Sequence, residues 1–232
     1  MRKFSLILCS VPIVWLTATP ANAHVSVTGG IGFANQTQEI TFGVGHGCAG
    51  VDTLSVRIEI SAGVTSVRAI GSQLGAPKVQ TDAAGLVTSV TWRKPMNELA
   101  VGDPNYYKVS IRAKLPDAPF SVIYFPTTQT CSTPEGVMSS VDWIATPTMP
   151  DAGAGEPAPS LVVLPPRTPG WNKFTLKQSV ADLKGAFGDA QIVWRGVSAY
   201  SPSATTTELI SNTSRVTPLT ALAFGDTIWV RY

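Results

Sequence analysis

A chain of 232 residues, 44% hydrophobic and only 14% charged, is long enough to bury a sizeable core and too apolar for intrinsic disorder. Its formal charge of +2 comes from seventeen basic against fifteen acidic side chains. No basic run or stripe occurs, which argues against nucleic acid as a partner.

The first predicted element is an export signal over residues 1–23. It has a basic start (Arg2, Lys3), a mostly apolar run over residues 4–16, and the small-residue cleavage site Ala21-Asn22-Ala23. Arg2 and Lys3 would leave with it, so the mature side chains balance in charge. After it, no apolar run is long enough to span a bilayer. The reading is therefore a soluble protein, periplasmic or secreted after cleavage following Ala23.

Cleavage there makes His24 the first residue of the mature chain. Its α-amine and its ring Nδ1 then sit on one residue and can close a chelate ring on one ion. Nitrogen donors in a tetragonal field suit Cu(II). The competing reading is that processing leaves an incidental histidine.

Residues 24–164 read as β-structure. Ile40, Phe42 and Val44 alternate with polar or small residues, as do Leu54, Val56, Ile58 and Ile60. Residues 87–92, 107–112, 121–125 and 137–144 are further short β-prone runs. Period-2 alternation predicts half-buried antiparallel strands. Turn clusters separate them, among them Gly29-Gly30, residues 45–50 and Gly102-Asp-Pro104. The expected fold is an all-β, immunoglobulin-like antiparallel sandwich.

Within this stretch, Gly45-His46-Gly47-Cys48 places His46 between two glycines that permit a tight turn. His46 is a candidate second metal ligand or an exposed turn histidine. Cys48 and Cys131 remain after cleavage removes Cys9. In an exported chain two cysteines read as one disulfide, with a pair of soft copper ligands as the alternative. In Val141-Asp142-Trp143 a strand puts Asp142 and Trp143 on opposite faces. Trp143 is either a core aromatic or a π-neighbour that shields a metal. Glu39, Asp52, Glu135 and Asp142 are candidate oxygen ligands among which spacing does not choose.

Residues 146–170 carry seven prolines and three glycines and read as an extended segment or linker. Residues 160–164 inside it can dock as a last strand, so the linker proper is 165–170. Residues 171–232 read as a small mixed α/β unit. Val180, Leu183 and Phe187 sit at helical spacing, and residues 191–194 and 227–232 read as strands. About sixty residues is marginal for independent stability, so this unit is expected to pack on the sandwich or on a partner. No nucleophile elbow, zinc-protease helix or phosphate loop occurs. No histidine is left over to serve as a base, so a serine hydrolase is not expected.

Residues 24–164 resemble the YcnI-like copper-binding family. The matching elements, in order, are His24-Val-Ser-Val27, Thr41-Phe-Gly-Val-Gly-His-Gly-Cys48 and Arg112-Ala-Lys-Leu-Pro-Asp-Ala118. Tyr124-Phe-Pro-Thr-Thr-Gln-Thr-Cys131, Val141-Asp-Trp-Ile144 and Pro157-Ala-Pro-Ser-Leu161 follow. The resemblance implies an extracytoplasmic, non-enzymatic protein that holds Cu(II) at an N-terminal histidine, bordered by a Glu and a Trp. His24 matches that histidine and Trp143 that tryptophan. The Glu does not carry over, because its region here reads Gly45-His46-Gly47-Cys48, and His46 is expected in its place. The implied role is copper delivery or homeostasis, with copper-trafficking proteins or a membrane transporter as partners. Two rivals stand beside it: a copper oxygenase of the polysaccharide-cleaving kind, and a structural β module in which His24 is incidental. Residues 171–232 carry no resemblance.

Overall fold

A computed structural model describes residues 24–147 and 156–232. The expected signal segment lies outside the described residues. Among the described residues, no helix is long and apolar enough to cross a membrane.

The chain is an all-β, immunoglobulin-like antiparallel sandwich with a small mixed α/β unit appended at its C-terminus. The sandwich strands are β1 (Ser26–Thr28), β2 (Ile31–Phe33), β3 (Thr37–Val44), β4 (Thr53–Glu59), β5 (Thr65–Ile70), β6 (Lys78–Thr81) and β7 (Val87–Arg93). They continue with β8 (Tyr107–Lys114), β9 (Val122–Tyr124), β10 (Thr127–Ser132), β11 (Met138–Ala145), β12 (Glu156–Pro157) and β13 (Ser160–Leu164). One sheet has the order β1-β3-β8-β5 and the other β12-β11-β10-β4-β7-β6. A three-stranded ribbon, β2-β13-β9, closes one end.

The alternating apolar positions do what period-2 patterning requires. Ile40, Phe42 and Val44 of β3, with their in-sheet neighbours Val109 and Ile111 of β8, pack in one continuous core with Val56 and Ile58 of β4 in the other sheet. Phe42 and Phe125 meet edge-on at 5.2 Å inside it. The Trp92 indole, fully buried, donates its N–H to the Ile70 carbonyl at 2.7 Å.

Several strands lie outside the expected runs, β10 and β12 among them. β10 lies between β11 and β4, yet its inward residues include Thr127, Gln129 and Cys131, so polarity hid it from a hydrophobic pattern. Residues 160–164 form β13, the last strand the sequence allowed for, and the proline-rich stretch adds β12, which it did not. β13 runs parallel to β2 and antiparallel to β9.

The C-terminal unit contains β14 (Trp171–Thr175), α1 (Leu183–Phe187), β15 (Ile192–Arg195), β16 (Ser198–Tyr200), α2 (Ala204–Asn212), β17 (Thr217–Pro218) and β18 (Thr227–Arg231). The strands form one sheet in the order β14-β18-β15-β16-β17. The apolar triad at helical spacing holds partly: Leu183 and Phe187 lie in α1, capped by the Asp182 side chain, while Val180 precedes it in a bridge to Leu222. The core of this unit includes one residue lent by the sandwich. Phe120 sits between Phe174 and Phe187, with ring centroids 6.0 and 5.5 Å away. Its φ of 65° is rare for a bulky side chain. The shared core and a 2.6 Å bond from its N–H to the Val163 carbonyl hold it there. Arg167 adds a second tie, pairing with Asp189 at 2.5 Å and lying over the Phe33 ring.

One buried polar network stabilises the sandwich. Lys94 donates to Asp52 at 2.6 Å and to the Tyr107 hydroxyl at 2.7 Å. Tyr107 donates to Asp52 at 2.8 Å, and the Ala100 N–H at 2.7 Å. Burial works to raise the Asp52 pKa, but the bonds from Lys94, Ala100 and Tyr107 outweigh it and hold the carboxyl below its usual range. Burial likewise works to lower the Lys94 pKa, and its bonds to Asp52 and Tyr107 raise it instead. The Asp52 contribution is thus present above the ordinary carboxyl pKa and lost as pH falls through the depressed value. The Lys94 contribution is present below the ordinary amine pKa and lost as pH rises through the raised one. Both hold at neutral pH. Lys94→Met leaves a buried carboxylate unpaired and is expected to destabilise by about 3–5 kcal/mol at pH 7 in urea melts. The loss should shrink at pH 5, where the stranded Asp52 takes up a proton. A deficit equal at both pH values would contradict this account.

Candidate metal centre

His24 stands just ahead of β1, the edge strand of one sheet; Glu156 lies on β12, the edge strand of the other, and Trp143 on β11 beside it. β12 runs parallel to β11 and sets Glu156 directly beside Trp143. The three side chains converge where the two sheet edges meet. His24 Nδ1 lies 3.4 Å from Glu156 Oε2. The His24 ring meets the Trp143 indole edge-on, with centroids 5.4 Å apart and planes at 83°. Both His24 and Glu156 are about two-fifths exposed, while Trp143 is buried. Val25, also buried, anchors the main chain behind His24.

This donor set fits a metal that takes nitrogen and oxygen together. Among the described residues, no three His, Cys, Asp or Glu side chains form a metal cage. His24 and Glu156 supply two side-chain donors. Their separation exceeds a good hydrogen bond yet lets one ion reach both at about 2.0–2.2 Å. A third donor exists only if the chain starts at His24 and the α-amine is free.

The indole is held in place from behind. Its N–H donates to Gln129 Oε1 at 3.1 Å. Gln129, buried, uses its amide to donate to the His46 carbonyl at 2.7 Å and the Thr53 hydroxyl at 2.9 Å. One glutamine thus ties the tryptophan to the glycine-flanked turn. Cys48 and Cys131 form a disulfide next to it, between Cα atoms 5.8 Å apart. Gly47 is needed for close approach, since a Cβ there would run into the Val51 carbonyl. The Gly47 N–H donates to the Asp103 carboxylate.

The other expected ligands lie elsewhere. The His46 ring turns back on its own turn, its Nδ1 2.5 Å from the Gly47 carbonyl. Continuing the register from Ser26 opposite Gly43 places its main chain near His24, but among the described residues no hydrogen bond, ion pair or ring stacking joins its ring to His24, Glu156 or Trp143. Its visible link to the site is its backbone, through Gln129. Asp142 points away from Trp143, as strand alternation requires, and accepts from the Thr128 hydroxyl at 2.8 Å. Asp52 is consumed by the Lys94 network, and Glu39 accepts from Thr41.

Glu156 and Gln129 were not among the expected residues. Glu156 lay in a stretch read as linker, although it directly precedes the Pro157-Ala-Pro-Ser-Leu161 motif. Gln129 lay inside the Tyr124–Cys131 motif, two residues from the cysteine, on the inward parity of β10.

Residues 24–163 match the family model described as domain of unknown function (DUF1775), which covers well over half of the chain; the chain belongs to that family. No curated protein matches. Among solved structures, an uncharacterized protein from Nocardia farcinica described as having an immunoglobulin-like fold is 22% identical, with a TM-score of 0.48 over 61% of this chain and 96% of that one. A cohesin, ScaC, from Acetivibrio cellulolyticus is 14% identical, with a TM-score of 0.33 over 61% of this chain and 98% of that one. The major pilin subunit BcpA of Bacillus cereus is 11% identical, with a TM-score of 0.33 over 73% of this chain and 46% of that one.

Proposed function

We propose that this DUF1775 protein is an exported copper-binding protein that holds Cu(II) at a mature N-terminal His24 for delivery or homeostasis. The observation that carries the reading is the convergence of His24, Glu156 and Trp143 at one seam. The ligands in this reading are the His24 amine and Nδ1 and a Glu156 oxygen, with Trp143 walling one side. That is the His, Glu and Trp combination implied by the resemblance to the YcnI-like family, with Glu156 rather than His46 as the third donor. The donors are partly exposed, so the ion can be loaded and passed on. The oxygenase alternative needs a second imidazole on the metal, and the hydrogen bond of the His46 ring goes instead to the Gly47 carbonyl of its own turn. Partners in this reading are copper-trafficking proteins or a membrane transporter in the periplasm.

Substituting the two competing third ligands separates them. Glu156→Gln is expected to weaken Cu(II) binding by about tenfold or more. His46→Ala is expected to leave the nitrogen pattern of the Cu(II) electron paramagnetic resonance spectrum unchanged. A nitrogen lost in His46→Ala, with full affinity retained in Glu156→Gln, would overturn this ligand set.

A further inference from the structure

The five-stranded sheet of the C-terminal unit has two unlike faces. Its inner face, with Phe174, Val193, Ile228 and Val230, covers α1 and Phe120. Its outer face carries Trp171, Trp194 and Trp229 on three neighbouring strands. Trp171 and Trp229 are 51% and 47% exposed. The three rings alone line a shallow hollow of about 310 Å³. Trp194 lies directly across from Trp229 in the register, Lys173 across from Trp229 on the other side, and Arg231 across from Trp171. The Lys173 ammonium sits 5.7 Å from the Trp229 ring centre, and the Arg231 guanidinium 5.9 Å from that of Trp171. Among the described residues, neither cation has an acidic partner.

A sheet is stabilised by burying one face, and nothing in its own packing calls for three tryptophans on the other. Clustered exposed aromatics mark a binding surface. Three strands span about 10 Å, the scale of a short oligosaccharide. Indole faces stack on the apolar C–H faces of sugar rings, and cations set between them suit carboxylates at the ring edges. A second copy fits poorly, because it would bring Lys173 and Arg231 of each chain against like charges. Nucleic acid fits poorly, because two cations make no track for a phosphate backbone. A lipid surface fits poorly, because Thr175, Thr227, Lys173 and Arg231 share the face with the tryptophans, and Ile192, the aliphatic side chain across from Arg231, is itself half-buried.

We infer that Trp171, Trp194 and Trp229, with Lys173 and Arg231, form a binding face for an acidic polysaccharide whose sugar rings carry carboxylates. The inference is independent of the copper reading. It is tested by titrating the chain starting at His24 with oligogalacturonate and with an uncharged cello-oligosaccharide of equal length, using calorimetry and tryptophan fluorescence. The uronate is expected to bind saturably, more weakly as salt rises, and in preference to the neutral chain. Trp229→Ala and Trp171→Ala are each expected to weaken it by about tenfold. Lys173→Gln with Arg231→Gln is expected to erase the preference while leaving the fold intact by circular dichroism. Trp229→Phe, which keeps a ring, is expected to retain most of the binding. No binding of the uronate, binding unchanged in both alanine variants, tighter binding of oligothymidylate or anionic vesicles, or a dimer lost in Trp229→Ala would each overturn the inference.

Discussion

Adding one glycine ahead of His24 is expected to weaken Cu(II) binding by about 100- to 10,000-fold, the range by which one arm of a chelate raises the effective concentration of the other. The ring, Glu156 and Trp143 would stay where they are, since Val25 and β1 anchor the chain behind His24. Only the amine would move off the chelate ring and become an amide. The effect therefore separates chelation by a terminal residue from simple binding by an exposed imidazole. The same logic sets a pH dependence. A free α-amine titrates near ~7.7–8.0 in model compounds, and the metal must displace its proton at neutral pH. Affinity is expected to fall steadily between pH 8 and 6 in the chain starting at His24. The glycine-extended chain should show a shallower fall, with one fewer proton displaced at the chelate. Competition titrations against a chelator of known strength measure both. Equal affinities for the two chains would remove the basis for the copper proposal.

Removing the disulfide with Cys48→Ser or Cys131→Ser is expected to cost about 4–5 kcal/mol of stability, from the chain entropy released when an 83-residue closure is opened. The loss should reach the candidate metal centre as well as the core. Cys48 ends the turn that carries His46, and Cys131 lies two residues beyond Gln129 on β10. Opening the bridge frees that turn from the strand whose glutamine orients Trp143. Guanidinium melts of the oxidised protein and the serine variants measure the first effect. The Trp143 contribution to near-ultraviolet circular dichroism measures the second. A serine variant within 1 kcal/mol of the parent would show that the surrounding packing alone sets this part of the fold.

Most of the sandwich was legible because its strands bury one face. Ile40, Phe42 and Val44, and then Val56 and Ile58, announce their buried face by alternation alone. β10 was not legible, since Thr127, Gln129 and Cys131 satisfy their polar groups inside the sheet and leave no hydrophobic period. β12 was not legible either. Two residues, one of them a proline, carry no period at all, and only the neighbouring β11 makes them a strand. α2 went unread because its one buried residue, Ile210, makes no apolar stripe.

The candidate site divides along the same line. His24, Trp143 and the pairing of Cys48 with Cys131 stood out in the chain itself, because each rests on a local pattern: an expected cleavage site, an unusual residue, or the count of cysteines expected to remain after cleavage. The proposed third donor did not. His46 looked the better choice because it lies near a cysteine and between glycines, but in the fold its ring bonds to its own turn. Glu156 reaches His24 across more than a hundred residues of chain, through a parallel pairing of β12 with β11 that no local pattern encodes. Spacing along the chain determines which residues have the right chemistry. Only the closing of two sheets at their edges decides which of them meet, because that contact depends on register between strands far apart in sequence.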